Sequence, residues 1–271
     1  MNLDDYVLSK RVKVLVYGPP KCGKTALVGK LAGHYKLHWI DLEQGIKTLL
    51  NPAMLAPEHR KNVNVVNVPD HRLVPVGIDT VRSILKGGEQ KICYAHGKTV
   101  CPLCKAKPDA RYSSVNLNTF TDNDILVIDS LSQLTSSAMN RVIVKEINKP
   151  NGEEYKPTYN DYAMQGALLD EVLSRIQVLD LNIVCITHDI DSEKAESSAA
   201  NIVPLAGTRN FSKTVAKYFD EVVYVNVLNK KHSAFSSTTS FNTILTGGRS
   251  GVKLDGLKDA ELSLLPIFNK G

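Results

Sequence analysis

One short stretch near the amino end limits what this chain can fold into. Residues 18–25 read Gly-Pro-Pro-Lys-Cys-Gly-Lys-Thr, which matches the pattern G-x-x-x-x-G-K-[ST], and they lie between an apolar run at 12–16 and a segment of helical period. Glycines in such a turn let backbone N–H groups converge on phosphate oxygens, and the helix that follows presents its positive end to the same anion. The sequence therefore predicts a strand, a phosphate-binding loop (P-loop, or Walker A motif) and a helix.

The side chains of this loop indicate how a nucleoside triphosphate would bind. Lys24 would reach the β- and γ-phosphates, and the Thr25 hydroxyl would ligate Mg²⁺. We interpret Cys22 as a small loop residue rather than as a metal ligand. The expected nucleotide-binding residues are Gly18, Pro19, Pro20, Lys21, Cys22, Gly23, Lys24, Thr25 and Ala26.

Short β-branched runs alternate with segments of helical period along the rest of the chain, which is typical of a parallel sheet with crossover helices. The 271 residues, 43% of them hydrophobic, are enough for a substantial core. There is no internal repeat and no second sheet pattern. We therefore expect one α/β domain over residues 1–271 with an insertion at residues 89–118, where the alternation breaks.

The individual elements follow from the same periodicities. Residues 190–208 are expected to form a mobile loop, and residues 229–240 a polar hairpin connection. The predicted strands are 12–16, 37–40, 63–68, 125–128, 183–186, 222–227 and 239–245, and the predicted helices are 26–32, 78–85, 131–147, 162–179 and 211–219.

Charge and cysteine usage restrict the setting of the protein. No run of about 18 apolar residues is present, so no membrane partner is expected. The first ten residues carry Asp4 and Asp5 and lack an apolar signal core, which favours an intracellular protein. The net charge of +5 is compatible with nucleic-acid binding without showing it. Five cysteines, two of them Cys22 and Cys185 in unrelated settings, argue against a disulfide framework.

Three polar residues follow predicted strands, at the sheet edge where the P-loop also lies. Asp129 ends an apolar strand and is placed to hold the Mg²⁺ shell through water. Glu43 comes just after the second strand, where a carboxylate would deprotonate an attacking water; a solvated turn residue fits the position equally well. His188 follows the fifth buried strand, where it would sense the γ-phosphate and transmit its loss to the adjoining loop. The alternative for His188 is a structural polar group.

Taken together, these motifs resemble a RecA-type recombinase core. The P-loop, Ile-Asp-Leu-Glu-Gln at 40–44, Leu-Val-Ile-Asp-Ser at 126–130 and Ile-Thr-His-Asp at 186–189 follow the order and spacing of that family over about residues 11–255. The chain looks most similar to the compact phage-encoded RecA/RadB-like ATPases that assist single-strand annealing in homologous recombination. The resemblance implies a RecA-like P-loop NTPase core, an AAA-type nucleotide-binding domain with a mostly parallel sheet flanked by helices.

The resemblance also assigns catalytic roles. Glu43 takes the role of catalytic base, Lys24 that of the phosphate-binding lysine and Asp129 that of the acid on the magnesium side. His188 occupies the position at which the family usually has a glutamine. The resemblance thus implies hydrolysis of ATP to ADP and phosphate with Mg²⁺ as cofactor, in the cytoplasm, which would be the host's if the gene is a phage gene.

Single-stranded DNA is the partner that the resemblance implies. The family's two DNA-facing loops map onto residues 148–160 and 189–210, where Tyr155 or Tyr159 would stack on a base. Interleaved glutamates leave ordinary solvated loops as the alternative. The expected phosphate contacts are Lys149, Lys156, Lys194 and Arg209.

Arg249 and Lys253 resemble cations that such proteins place across a subunit boundary to complete a neighbour's ATP site. This implies a homo-oligomer, either a ring or a filament, in which hydrolysis depends on assembly. A single-strand-binding protein is a further candidate partner.

The insertion contains the remaining cysteines in the order Cys93, His96, Cys101 and Cys104. A C-x-x-H pair followed by a C-x-x-C pair supplies four ligands for a tetrahedral Zn²⁺, and the metal would stabilise a segment too short to have its own core. Because all four positions are protein ligands, we expect a structural, zinc-knuckle-like site. The alternatives are a redox dithiol at Cys101 and Cys104 and a reduced loop without metal.

The leading hypothesis is a DNA-stimulated ATPase that binds single-stranded DNA and assists strand annealing or exchange in recombination and repair. A small-molecule or nucleotide kinase is the first alternative, because it shares the P-loop. A non-catalytic ATP-gated loader is the second.

Overall fold

A sheet of mostly parallel strands forms the centre of the computed structural model, which describes residues 11–191, 202–228, 231–237, 244–257 and 261–268. The strands are β1 (Lys13–Tyr17), β2 (Lys36–Asp41), β3 (Val63–Asn67), β4 (Glu89–Cys93), β5 (Tyr112–Asn116), β6 (Asp124–Asp129), β7 (Asn182–Thr187), β8 (Asp189–Asp191), β9 (Ile202–Pro204), β10 (Glu221–Leu228), β11 (Lys231–Phe235) and β12 (Gly247–Gly248). The central sheet has the order β11-β10-β1-β7-β6-β2-β3, and β12 pairs with β10.

Helices connect these strands. The α-helices are α1 (Lys24–Gly29), α2 (Gly77–Leu85), α3 (Pro102–Lys105), α4 (Leu131–Ile147), α5 (Tyr159–Val178), α6 (Arg209–Ser212) and α7 (Leu265–Phe268). The 3₁₀ turns are Lys30–Gly33, Gly45–Leu50, Pro57–Asn62, Leu117–Thr119, Gly152–Glu154 and Val215–Tyr218. No helix of the part that the structure describes is both long and apolar enough to cross a bilayer.

The strands β1, β6 and β7 are buried along their whole length, which is why they read as apolar runs without alternation. Residues of successive parity enter two different hydrophobic clusters. Leu15 packs with α2, α4 and α5 on one face, whereas Val14 and Val16 pack with α1 and the carboxyl-terminal segment on the other. The predicted α/β class, a RecA-like P-loop NTPase core with a mostly parallel sheet between helices, is confirmed.

The helix starts agree with local capping signals. The Ser130 side chain accepts a hydrogen bond from the Gln133 N–H at the start of α4. Thr158 and Asp161 form a reciprocal capping box at the start of α5. These caps fix the ends of the two longest helices, one of which begins directly after the acid at the end of β6.

The insertion at residues 89–118 forms a small unit at the open edge of β3, which we call the Cys/His module. Its strands β4 and β5 pair antiparallel, with Cys93 opposite Tyr112. The Asn67 side-chain amide donates to the Tyr94 carbonyl at 3.1 Å, and the Thr80 hydroxyl donates to the Gly97 carbonyl at 2.6 Å. The module thus covers the edge strand of the sheet. That residues 1–271 form a single domain stays a prediction.

Several element boundaries differ from the predictions. The helix predicted at 26–32 begins at Lys24 and continues beyond Gly29 as a 3₁₀ turn. The helix predicted at 211–219 is divided into α6 and the 3₁₀ turn Val215–Tyr218. The strand predicted at 239–245 lies outside the described residues up to 243, and Ile244 forms only an isolated bridge with Ile202.

Two loop predictions were wrong in part. Within 190–208, β8 pairs antiparallel with β9, and residues 192–201 lie outside the described part. Within 229–240, β11 pairs with β10 over five residues. Both strands are short edge elements, and β11 buries only Ala234, so their polar sequences carry no alternation to detect.

The burial pattern predicts the effect of a cavity in the sheet. Leu126 is fully buried in β6, so Leu126→Ala is expected to lower the free energy of unfolding by about 2–5 kcal/mol. Val178, which is 79% exposed at the end of α5, provides a control, and Val178→Ala should change it by less than about 0.5 kcal/mol. Urea titration followed by circular dichroism measures both, and equal effects would contradict this packing.

Candidate nucleotide site and Cys/His cluster

The carboxyl ends of parallel strands bring the predicted catalytic residues to one place. β2 pairs with β6 and β6 with β7, which aligns Asp41 with Asp129 and Asp129 with Ile186. A cavity of about 610 Å³ opens at this edge. Its lining includes Pro20, Lys21, Gly23, Lys24, Thr25, Ala26, Glu43, Asp129, Ser130, His188 and His232.

The backbone of the P-loop requires its glycines. Gly23 has φ +93°, and Gly18 has φ +152°. A β-carbon at Gly18 would also collide with the carbonyl oxygen of Val225 on β10. Lys21 is in the left-handed region as well, with φ +63°. The loop therefore has a strained, closely packed path that leaves its N–H groups directed toward the cavity mouth.

Lys24 is held against the loop that it follows. Its ammonium donates to the carbonyl oxygens of Gly18 and Pro19, both at 2.7 Å, and lies 3.4 Å from His188 Nδ1. Burial lowers the pKa of Lys24, while nearby acids oppose that shift. The lysine is thus positioned at the centre of the cavity, within reach of a phosphate placed on the loop.

Thr25 and Asp129 are the residues that would hold a magnesium ion. The Thr25 hydroxyl donates to Asp129 Oδ2 at 3.2 Å. Burial, and then the charges of Glu43 and Asp41, raise the pKa of Asp129 to about 7. A hydroxyl beside clustered carboxylates is a set of hard oxygen donors that fits Mg²⁺.

Asp41 serves the local fold of this edge. Its carboxylate accepts from the Gly45 N–H at 3.0 Å, which closes the turn that carries Glu43. Burial raises the pKa of Asp41, and the backbone donors of the turn oppose this shift. A β-carbon at Gly45 would lie 3.6 Å from Asp129 Oδ2, so the turn passes close to the acid.

Glu43 is oriented by two neighbours, and its side chain is 29% exposed. Ser130 Oγ donates to Glu43 Oε1, and His188 Nε2 faces Glu43 Oε2 at 3.5 Å. Burial raises the pKa of Glu43, but the hydrogen bonds from His188 and Ser130 outweigh it and hold the pKa below its usual range. Glu43 is therefore a carboxylate at neutral pH, as a general base requires.

The tautomer of His188 follows from its neighbours. An ammonium only donates, so a hydrogen bond between Lys24 and His188 Nδ1 requires that this nitrogen be unprotonated. The ring proton is then on Nε2, which faces Glu43. His188 thus links the phosphate-binding lysine to the predicted base.

The backbone of His188 is joined to the β8–β9 ribbon. Its N–H donates to Ser132 Oγ at 2.8 Å, and its carbonyl accepts from the Leu205 N–H at 2.8 Å. Thr187 Oγ1 donates to the Leu205 carbonyl at 2.6 Å and lies 2.9 Å from Ser132 Oγ. A displacement of His188 would therefore be transmitted to the ribbon that follows it.

Two site residues escaped the sequence interpretation. Ser130 follows Asp129 directly, and this position was the available signal for it. His232 lies on β11, where its Nδ1 is 2.9 Å from the Cys22 carbonyl, and a β-carbon at Gly23 would lie 2.8 Å from its ring. No local pattern marks it, because the contact depends on the long-range pairing of β10 with β11. A second cavity of about 430 Å³ adjoins the first and shares His232, Met54 and Gly23.

Arg249 and Lys253 lie away from the nucleotide cavity of their own chain. Arg249 donates to Asp220 at 3.0 Å, directly before β10 and so at the amino edge of the sheet. The side chain of Lys253 is exposed. Their role across a subunit boundary stays a prediction.

The predicted DNA contacts are spread over the surface. Lys149 forms an ion pair with Glu146 at 2.7 Å, whereas Lys156 and Arg209 are exposed at different loops. Lys194 lies outside the described residues. Of the two candidate stacking residues, Tyr159 is 88% exposed, whereas the Tyr155 hydroxyl donates to Asp161 at 2.7 Å. These contacts stay predictions.

The Cys/His module gathers the four predicted metal ligands. The ligand atoms of Cys93, His96, Cys101 and Cys104 all lie within 4.8 Å of one another. His96 Nδ1 is 3.2 Å from Cys104 Sγ and 3.5 Å from Cys101 Sγ. Three thiolates and one imidazole at this spacing fit a tetrahedral Zn²⁺, for which ligand atoms lie about 3.5–3.8 Å apart. The three cysteines are buried and unpaired by disulfides.

Comparison with known proteins gives one family and several distant structures. A family model described as an AAA domain matches residues 10–250. No curated protein matches the chain. The structure of the ATPase domain of a replicative helicase is similar with a TM-score of 0.37 and 13% identity, over 80% of this chain and 70% of that chain.

A prototypical ATPase from the type III secretion system of pathogenic bacteria is also similar. Its TM-score is 0.44 and its identity 11%, and the alignment covers 81% of this chain and 52% of that chain. The present chain therefore spans about half the length of that ATPase.

The contact between His232 and the P-loop predicts a nucleotide-binding defect. His232→Ala removes the hydrogen bond to the Cys22 carbonyl and should weaken ATP binding roughly three- to tenfold. His232→Asn keeps an N–H near the position of Nδ1 and should bind close to wild type. Titration with a fluorescent ATP analogue measures both, with the exposed His71→Ala as control. Equal affinities for the alanine and asparagine variants would contradict a positioning role.

Proposed function

Because the chain belongs to the AAA-domain family of nucleotide-binding ATPases, we propose that it hydrolyses ATP and couples hydrolysis to single-stranded DNA. The observation that carries this proposal is the convergence of Lys24, Thr25, Glu43, Asp129 and His188 on one cavity of about 610 Å³. The arrangement supplies a phosphate-binding cation, a metal-binding pair and an ionised base within one site. A kinase would use the first two without needing the third.

The geometry supports a hydrolytic step with Glu43 as base. The Glu43 carboxylate accepts a proton from water as the water oxygen bonds to the γ-phosphorus. The bond from that phosphorus to the β–γ bridging oxygen breaks, and its electron pair leaves with ADP. Lys24 would offset the charge on the phosphate oxygens, and Mg²⁺, when bound beside Thr25 and Asp129, would neutralise the β- and γ-phosphates.

His188 is the residue that would couple the nucleotide to the DNA. It lies between Lys24 and Glu43, and its backbone is hydrogen-bonded to Leu205 at the β9 end of the ribbon. Loss of the γ-phosphate would free Lys24 and His188 to rearrange, and the ribbon would follow. In this proposal the loops 148–160 and 189–210 contact single-stranded DNA, with Lys149, Lys156, Lys194 and Arg209 on its phosphates.

Assembly completes the proposed cycle. Arg249 and Lys253 lie far from their own nucleotide cavity, which is compatible with action on a neighbouring subunit in a homo-oligomer. The cellular role that we propose is the assistance of strand annealing or exchange in recombination, as in the phage RecA/RadB-like ATPases that the sequence resembles.

We further propose that Cys93, His96, Cys101 and Cys104 hold a structural Zn²⁺. The metal would replace a hydrophobic core that so small a unit lacks, and it would fix the turns around Gly97 against β3. Since all four donors come from the protein, no position is left for a catalytic water.

Substitution of the proposed base tests hydrolysis. Glu43→Gln should reduce the turnover number by about 10²–10⁴-fold and leave ATP binding within about twofold, because the amide accepts no proton. Glu58, exposed in the 3₁₀ turn Pro57–Asn62, provides the control Glu58→Gln. Release of labelled phosphate into water or onto an organic acceptor separates ATPase from kinase. Unchanged turnover in Glu43→Gln would remove this residue from the role.

Dependence on DNA is tested with the same assay. We expect single-stranded DNA to increase the ATPase rate, and this increase to shrink as salt rises, because phosphate contacts release counterions. A rate indifferent to single-stranded DNA at every salt concentration would contradict the recombination role while leaving ATP hydrolysis in place.

Removal of a ligand tests the metal site. We expect one Zn²⁺ per chain by elemental mass spectrometry and its loss in Cys101→Ser, together with faster proteolysis of residues 89–118. Cys185→Ala, at a buried cysteine in β7, is the matched control and should retain the metal. A wild-type protein purified without metal that shows the same proteolysis as its zinc-loaded form would refute the site.

A further inference from the structure

We propose that the Cys/His module is itself a contact surface for single-stranded nucleic acid, with Tyr94 as a stacking platform and Arg111 as a phosphate contact. The proposal rests on the proposed function only in that it also needs a single strand as ligand. It assigns binding to a part of the chain outside the loops 148–160 and 189–210, and it requires no ATP hydrolysis.

Tyr94 and Arg111 lie next to each other on one face of the β4–β5 ribbon. The Tyr94 N–H donates to the Arg111 carbonyl at 2.9 Å, directly after the paired residues Cys93 and Tyr112. Residues opposite each other in an antiparallel ribbon direct their side chains to the same side. The Tyr94 side chain is 55% exposed, and Arg111 is exposed as well. An aromatic ring and a guanidinium are thus presented together to solvent.

The charge of the module complements a polyanion. Residues 89–118 contain five lysines and arginines and two acids, Glu89 and Asp109. Lys91 has Glu89 at 4.0 Å, but in the described part of the chain no acid forms an ion pair with Arg111 or with the exposed Lys105 and Lys107. Cations without acidic partners are those that release counterions when a phosphate binds.

The apolar exposure of the module matches bases better than it matches a folded partner. Val100 is 80% exposed, Leu103 is 65% exposed and Tyr112 is 46% exposed, and lysines lie between them in the sequence. Cores of protein–protein interfaces are depleted in lysine, whereas sites for unpaired strands combine aromatic rings with a cationic track. A duplex would hide the base faces that such rings stack on, so the favoured ligand is single-stranded.

The position of the module suits a strand that also reaches the nucleotide edge. The Asn67 amide donates to the Tyr94 carbonyl, and Asn67 is aligned with Asp41 at the carboxyl end of β2. Three strand spacings, about 14 Å, separate β3 from β7, after which the β8–β9 ribbon begins. A few extended nucleotides span that distance, so one strand would contact the module and the ribbon together.

The test uses the full-length protein and a fluorescently labelled oligothymidylate in anisotropy titrations. Tyr94→Ala and Arg111→Ala are each expected to weaken binding about tenfold, and Arg111→Ala should reduce the slope of log affinity against log salt by about one. Tyr94→Phe keeps the ring and should bind like wild type. Lys36→Ala removes an exposed lysine at the opposite, amino edge of the sheet and is the charge control.

Two measurements keep folding separate from binding. Each variant should retain the wild-type zinc content and the wild-type ATPase rate without DNA, because neither residue touches the nucleotide or ligates the metal. In addition, photocross-linking of wild-type protein to an oligonucleotide with halogenated uracil should yield an adduct on the peptide that contains Tyr94.

The outcomes separate this inference from the proposed function. Wild-type binding that is unaffected by Tyr94→Ala and Arg111→Ala, with adducts only in residues 148–160 or 202–210, would overturn the module surface and leave a DNA-binding ATPase. Equal sensitivity with duplex DNA would overturn the single-strand assignment. If no single strand binds at any salt concentration, both DNA proposals are refuted, while ATP hydrolysis is judged independently by Glu43→Gln.

Discussion

The site depends on keeping three carboxylates together at the dry edge of a parallel sheet. Asp41 and Asp129 are aligned by the β2–β6 register, and Glu43 follows two residues after Asp41. Their mutual repulsion and burial raise the pKa of Asp129 to about 7. Such an arrangement stores unfavourable electrostatic energy that a bound cation offsets, so the same strands that build the core also create the affinity for metal and phosphate.

Glu43 is kept ionised within this acidic group by donors rather than by exposure alone. Ser130 also caps α4, and the peptide N–H of His188 donates to Ser132 of the same helix. The first turn of α4 therefore positions both neighbours of the base. Because the Leu205 N–H donates to the His188 carbonyl, this turn also connects the base to the ribbon that would meet DNA.

The sequence was sufficient for those parts of the fold and site that are encoded locally. The P-loop pattern, the apolar strands that end in Asp129 and His188, and the Cys/His spacing each occupy a single short stretch, and the structure places them together as parallel topology requires. Ser130 and His232 could not be assigned in this way. The contact of His232 with Cys22 depends on the antiparallel pairing of β11, a five-residue edge strand that buries only Ala234 and reads as polar connection.

The same limit applies to the ribbon β8–β9, whose three-residue strands are too short for periodicity, and to the surface of the Cys/His module. Metal ligands are recognised from spacing, but whether Tyr94 and Arg111 share a face depends on the register of β4 with β5. The module covers the otherwise open edge of β3, so it protects the sheet from pairing with another chain. This edge position also aligns it with the nucleotide site, since Asn67 holds Tyr94 at the carboxyl end of the sheet. A structural metal and a nucleic-acid surface are therefore consistent roles for one insertion, because the metal would fix the loops that display the contact residues.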